Sequence, residues 1–474
     1  MGHLPKLIGL LIGLVIVVLV SQVLLQKNEV LEQYQSVANE IRQAGLESER
    51  SWRLLKTLVE QYPGRLSGTQ TLESAIEWVA QTLRDYGVNR VNLQPVDVLY
   101  WVRGEESLTV NFPDGKSEEL EILGLGMSVG ADALTAGAVV VDSYEALEAR
   151  SDSDVTGKFV VYNVPFTSYR DTVTYRVKGP DVAAAKGAVG ALVRTVGSKG
   201  SHPDKPHTGT MRYGGETAKI PAAALSFNAA DRIAALAEGG TDFTLTLNMA
   251  AQTLGAQSQN IIAEVPGATL PEEVVVFGGH IDSWDITPGA HDDGTGVTAT
   301  MEALLLLNDL IKAGTIPRPK RSLRLVHWTN EENGLAGAKA YAESLSPDDI
   351  ENHVAALEMD TGGEAPFGFG FTIKGDNADR AYDFLSDLMA LLEPLESHQL
   401  APSGGGADIT PLGKLGIPTA GVNTVMKRYF DWHHSVDDSL EQVRPKDLKR
   451  HATSIAILVY VLADSENNLK KMAL

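Results

Sequence analysis

The 474-residue sequence contains no cysteine. No disulfide can brace the fold and no thiolate can hold a metal, so any zinc would have to be held by histidine and carboxylate. Basic residues are also short. Lys plus Arg total 40 against 61 Asp plus Glu, a formal net charge of −21. That balance argues against nucleic acid or anionic lipid as a partner for the bulk of the chain. Acidity of this kind serves solubility and defines no substrate. There is no repeat, no low-complexity tract and no Walker-type phosphate loop. Long apolar runs are absent too, except at the N-terminus.

There, Lys6 precedes Leu7 to Leu25, 19 residues without a charge, just enough to span a bilayer. Ser36-Val-Ala38 has the shape of a cleavage site but lies too far along. Residues 1–27 are therefore read as a retained N-terminal anchor, with a cleaved signal peptide as the alternative. In both cases the rest of the chain is exported, membrane-anchored or secreted. The full sequence is 43% hydrophobic and 21% charged, enough to bury a large core unaided.

Past the N-terminus, residues 28–61 carry apolar residues at helical spacing (Val30, Leu31, Tyr34, Val37, Ile41), and Pro63-Gly64 ends the pattern. Residues 69–86 form a second amphipathic helical pattern. The stretch 128–250 alternates short strands with Ala- and Gly-rich helices and holds no cluster of metal-type ligands, so it is read as a separate α/β insert. The catalytic part is then 28–127 followed by 251–474. In the latter, strands expected near 260–263, 274–277, 323–328, 354–359 and 418–422 alternate with helical patterns. This predicts an α/β fold with a mixed, largely parallel sheet flanked by helices.

The chemistry gathers where those strands end. Val274-Val-Val-Phe277 runs into His280 and Asp282, and a Pro-Gly turn follows before Asp292 and Asp293. Leu323–Trp328 runs into Glu331-Glu332, and Val354–Met359 into Asp360. Past Val422 come His433-His434 and Asp437-Asp438. In open α/β sheets ligands bind at the carboxyl ends of strands. So many carboxylates and imidazoles packed together would repel one another without a counter-ion. Two Zn2+ ions would neutralise them, a bridging carboxylate on a rigid loop suits Asp292, and of two adjacent glutamates one can face metal and one the reacting water. His327 and His353 are read as structural, and His291 carries no firm assignment.

These motifs, His280-x-Asp282, Pro288-Gly-Ala-His-Asp292-Asp-Gly-Thr-Gly296, Asn330-Glu331-Glu332-x-Gly334, Glu358-Met-Asp360 and His433-His434-Ser435, resemble those of the co-catalytic di-zinc exopeptidases of the MH clan. Within the clan the chain looks most like the plasma glutamate carboxypeptidase (carboxypeptidase Q) group and its bacterial aminopeptidase relatives. The resemblance runs from about residue 50 to the end. It implies a zinc aminopeptidase fold and makes the insert similar to a protease-associated domain. It implies two Zn2+ per chain: His280 and Asp360 on one, Glu332 and His434 on the other, Asp292 bridging. Asp282 would orient His280, Glu331 would be the general base, and His433 would donate to the oxyanion. Gly404, Gly405, Gly406 and Asp408, in the glycine-rich loop, would face substrate. The partner implied is a peptide, and homodimers occur in the group. The reaction implied is cleavage of dipeptides or of N-terminal residues. Release of C-terminal residues, with Lys427 and Arg428 as carboxylate anchors, is one alternative, and a non-catalytic receptor another. Asp438-Ser439 departs from the Asp-Thr usual in the group but keeps the hydroxyl.

Overall fold

The structure, a computed structural model, describes residues 28–474 apart from Ser201. The anchor expected over 1–27 lies outside the described residues. Among those described, no helix is long and apolar enough to cross a membrane.

Eight strands form the central sheet among the described residues: β1 (Arg90–Val102), β2 (Gln252–Val265), β3 (Leu270–His280), β4 (Arg321–Trp328), β5 (His353–Glu358), β6 (Pro366–Thr372), β7 (Gln399–Ala401) and β8 (Thr419–Thr424). Their order is β1-β2-β4-β3-β5-β8-β6-β7. The pairs β4/β3, β3/β5, β5/β8 and β6/β7 are parallel, and the other three are antiparallel. The mixed, largely parallel sheet is thus present. From β3 the chain goes first to β4 on one side and then to β5 on the other. This reversal opens a crevice at the carboxyl ends of β3, β4 and β5, the place where open α/β sheets bind ligands.

The unbroken apolar run in β3 follows from burial on both faces. Val275 and Phe277 enter the larger core, while Val274 and Val276 pack with Val326, Trp328 and Ala356 on the opposite side. On the larger side lie helices α1 (Glu29–Glu47), α2 (Arg50–Gln61), α3 (Gln70–Asp85), α4 (Thr295–Lys312) and α5 (Pro445–Asp464). Helix α4 is buried on every face from Thr295 to Asn308, which explains its all-round apolar composition. Each buried Leu of its Leu304–Leu307 run adds roughly 1.5–3 kcal/mol, so packing rather than propensity holds it.

The single helical stretch expected over 28–61 is two helices. The chain breaks at Ser48, whose backbone is extended and whose hydroxyl donates to Glu302. The break lets Arg50 reach Glu302 at 2.6 Å and Asp309 at 2.8 Å on α4. Strands β6 and β7 were not anticipated. The alternation in Pro366-Phe-Gly-Phe-Gly-Phe371 marks β6, and its Gly368 is required because a Cβ there would lie 1.9 Å from the Gln399 carbonyl oxygen.

Strands β1 and β2 form one long antiparallel ribbon, Arg90 opposite Glu264 and Val102 opposite Gln252. The insert leaves from the tip of this ribbon. It holds a four-stranded sheet, with Glu106–Asn111 and Ser117–Leu120 beside Thr244–Met249 and Ala131–Ala136, and a five-stranded sheet that includes Ile122–Gly124. By sheet membership the insert therefore spans about 103–251, not 128–250. Strands 106–111 and 122–124 pair with later insert strands and 117–120 pairs with 106–111, none of them with the central sheet, a partnership that spacing along the chain does not encode.

Candidate metal centre

Each ligand-type side chain arrives by a short, constrained connection. His280 is the last residue of β3. Asp292 follows in a tight turn over Ala290–Gly294, opened by Gly289 at φ 62°. Glu331 and Glu332 occupy the turn after β4, where Asn330 holds φ 66° and its carbonyl accepts from the Leu335 N–H at 2.7 Å. Asp360 follows β5, whose ladder continues one step further through the Met359 N–H to the Gly278 carbonyl. His433 and His434 end a helical turn at Tyr429–Trp432, and His434 itself has φ 61°.

The side chains converge on Asp292. His280 Nε2 lies 3.2 Å from Asp292 Oδ1 and 3.5 Å from Asp360 Oδ1. His434 Nε2 lies 3.1 Å from Asp292 Oδ2 and 3.2 Å from Glu332 Oε2. One carboxylate thus turns one oxygen to each of two ligand pairs. His433 Nε2 also approaches Asp292 Oδ2, at 3.3 Å, and its ring stacks on His434 with centroids 3.6 Å apart. The atoms of His280, Asp292 and Asp360, and those of Asp292, His433 and His434, are each close enough together to hold a metal ion.

Electrostatics and hydrogen bonding agree on what the cluster lacks. His280 Nε2, Asp292 Oδ2 and Glu332 Oε1 are buried without a hydrogen-bond partner, an arrangement that is costly unless a ligand completes it. Burial pushes the Glu332 carboxyl up to about 7, with Asp292 adding to the effect. Burial also raises Glu331 far above the usual carboxylate range, and Asp360, Glu332 and Asp282 push the same way. Burial would lower the His280 imidazole, but Asp282, Asp292 and Asp360 reverse this and raise it. A cation between these groups relieves the proton excess and the orphaned atoms together. An all-nitrogen and oxygen donor set of His, Asp and Glu fits zinc in a chain without cysteine.

A layer of buried groups fixes the loops. His280 Nδ1 lies 3.0 Å from the Asp282 main-chain carbonyl and 3.7 Å from its carboxylate. His280 Nδ1 thus faces Asp282, nearer to its backbone carbonyl than to its carboxylate. The carboxylate of Asp282 is occupied elsewhere: it accepts from the Glu331 and Glu332 N–H groups at 3.0 and 3.3 Å and from the Ser67 hydroxyl. Asp293 accepts from the N–H groups of His280 and Gly296. Asp438 accepts from those of His291 and Asp292 at 2.7 and 3.1 Å. Arg65, fully buried, donates to the carbonyls of Tyr62, Ile281, Pro288 and Gly289. Neither Arg65 nor Asp438 was assigned a role from sequence. The Pro63-Gly64 turn read as a helix breaker was the only mark near Arg65.

Other readings find their places. Burial lowers His291 to about 4; its Nδ1 accepts from the Gly363 N–H, and the residue is structural. His327 and His353 are buried away from the ligands, as expected, against Thr300 and Tyr341. Arg428 stacks on Trp432 and points to Asp431. The glycine-rich loop packs tightly. A Cβ at Gly404 would lie 2.0 Å from the Gly370 carbonyl oxygen, and one at Gly406 2.3 Å from the Glu358 carboxyl carbon. Gly404, Gly405 and Gly406 line a cavity of about 260 Å³ with Lys374, Thr410 and Thr419, and none of the five ligands borders it. Asp408 is fully buried, its carboxyl raised by burial and by Glu358.

Residues 260–459 match the model of peptidase family M28. The chain is 38% identical over 430 residues to human carboxypeptidase Q, covering 90% of this chain and 88% of that protein. A solved M28 peptidase precursor from Shewanella amazonensis superposes with a TM-score of 0.85 at 30% identity, covering 92% of this chain and 98% of that one. A zinc aminopeptidase from Bacillus subtilis shares the fold, with a TM-score of 0.63 at 18% identity, covering 88% and 95% of the two chains. The chain belongs to peptidase family M28 and is a metallo-exopeptidase.

Proposed function

We propose that the protein is a zinc-dependent exopeptidase that hydrolyses dipeptides or releases the N-terminal residue of short peptides, with two Zn2+ per chain. The observation that carries this reading is Asp292, which turns one oxygen to His280 and the other to His434. His280 and Asp360 would hold one ion, Glu332 and His434 the other, and Asp292 both. Bound there, two divalent ions supply polarisation of the scissile carbonyl and a water of lowered pKa.

The remaining steps belong to the chain's own residues. Glu331 takes a proton from the attacking water and passes it to the leaving amine. His433 is kept neutral by burial and by His434, so it can offer an N–H to the developing oxyanion. Asp282 fixes the Glu331–Glu332 turn. The first 27 residues would export this domain, anchored or free.

A carboxypeptidase is the second reading, favoured by 38% identity to proteins named carboxypeptidase Q. It needs a cation for the substrate's terminal carboxylate, for which Lys427 and Arg428, both exposed, are the candidates. Hydrolysis of free dipeptides, N-blocked dipeptides and aminoacyl chromogenic amides by residues 28–474, with and without chelator and added Zn2+, separates the two. Chelator-sensitive cleavage that requires a free amino terminus is the expected result. Cleavage of N-blocked peptides only when their carboxyl terminus is free would establish the carboxypeptidase. No zinc-restored cleavage of any substrate, with about two metal ions still bound per chain, would point to a binding protein.

A further inference from the structure

The insert reaches the metal centre. Thr208 lies in it and brackets His434 at two points: its N–H donates to the His434 carbonyl at 3.0 Å, and its carbonyl lies 3.3 Å from His434 Nδ1. The same carbonyl accepts from Arg176 Nη1, also of the insert, at 3.3 Å. Arg176 is buried, donates through Nη2 to the Tyr169 hydroxyl at 2.8 Å, and sits over the Tyr169 ring. Among the described residues no carboxylate lies within ion-pair distance of it. Gly209 makes the space, since a Cβ there would lie 2.3 Å from the guanidinium carbon. The Thr208 hydroxyl donates to the Gly124 carbonyl, in the five-stranded sheet of the insert. Tyr169 meets His433 edge-on, with centroids 5.1 Å apart.

We propose that Arg176 is a positioning residue for the metal centre: with the Thr208 carbonyl it holds the His434 imidazole so that Nε2 faces the cluster. The inference rests on the metallo-exopeptidase reading above. A guanidinium only donates, and a carbonyl can accept twice. Arg176 Nη1 and His434 Nδ1 lie 3.3 Å apart, each 3.3 Å from Thr208 O. When both donate to that oxygen, the imidazole proton sits on Nδ1 and the Nε2 lone pair faces Asp292 and Glu332. Such outer hydrogen bonds fix the tautomer and ring angle of metal-bound histidines. His434 needs outside support, because a non-glycine residue at φ 61° persists only where its surroundings enforce it. The insert is therefore a structural part of the catalytic centre.

The test is metal retention by wild type, Arg176→Ala, Arg176→Gln and Arg176→Lys, measured by elemental analysis after dialysis against a graded series of zinc–chelator buffers, with kcat and KM on a cleaved peptide. The expected result is two Zn2+ in wild type, and one of them held about 10- to 100-fold more weakly in the Ala and Gln variants. In these, kcat falls while KM is kept, and added Zn2+ restores kcat; Lys recovers part of the affinity. Tyr169→Phe, which removes only the hydroxyl that Arg176 grips, shifts retention the same way by less, and serves if Arg176→Ala does not fold. Wild-type affinity for both ions in folded Arg176→Gln and Tyr169→Phe would overturn the proposal. So would equal weakening of both ions in those variants, since Arg176 touches only the His434 side. Failure of wild type to bind zinc would overturn the metallo-exopeptidase reading instead.

Discussion

Glu331 and Glu332 are adjacent in sequence and yet are placed differently. Glu332 is buried beside His434 at 3.2 Å, while Glu331 makes no close contact with a ligand histidine. Asp282 separates the two by fixing the backbone N–H of each. Glu331→Gln keeps the volume and this turn but cannot take a proton. Its kcat is expected to fall about 10²- to 10⁴-fold with KM and zinc content unchanged. Steady-state kinetics paired with metal analysis checks this, and a variant that lost zinc along with activity would make Glu331 a ligand instead. The histidines divide similarly. His434 and His433 stack on one another; the insert meets His433 through the Tyr169 ring and His434 through the Thr208 backbone.

At the scale of elements, the centre is a set of loops held by buried polar groups. Arg65 ties the turn after α2 to the loops on both sides of Asp285. Asp438 ties the last loop to the Asp292 turn. The glycine-rich segment between β7 and β8 adds close approach to its hydrogen bonds with Thr372 and Thr410. Gly406→Ala drives a Cβ to within 2.3–2.6 Å of the Glu358 carboxyl group. Overpacking of this kind costs about 1–3 kcal/mol. Gly255→Ala, on the β1/β2 ribbon with open space around it, is expected to stay within about 0.5 kcal/mol of wild type. Urea denaturation of both variants measures the contrast, and equal stability would show that the loop yields.

For the whole molecule, buried histidines weaken the fold in acid. Burial lowers His327 to about 3 from an ordinary value of 6.5. Below pH 6.5 the unfolded chain binds a proton that the folded chain refuses. The stability His327 contributes is therefore complete above pH 6.5 and is lost as pH falls towards 3, at a rate approaching about 1.4 kcal/mol per pH unit. Unfolding free energies at pH 7, 6 and 5 should decline less steeply in His327→Gln by that amount, and parallel slopes would contradict it. The insert also belongs to this scale. Removing it would also take Thr208 and Arg176 from beside His434.

Hydrophobic periodicity and residue chemistry determined the alternating strands and helices, the crevice at the strand ends and the set of ligand-type residues. Those features are local: a strand buried on both faces must be apolar along its length, and a cation site needs its donors whatever their order. Tertiary structure decided the rest. It broke the first helix so that Arg50 could meet Glu302, gave 106–124 to the insert, and sent the Asp282 carboxylate to the glutamate turn. It placed Arg65 among carbonyls from separate loops and brought Thr208 and Arg176 against His434, more than 200 residues away. Such contacts depend on which segments fold against each other, and a linear pattern has no term for that.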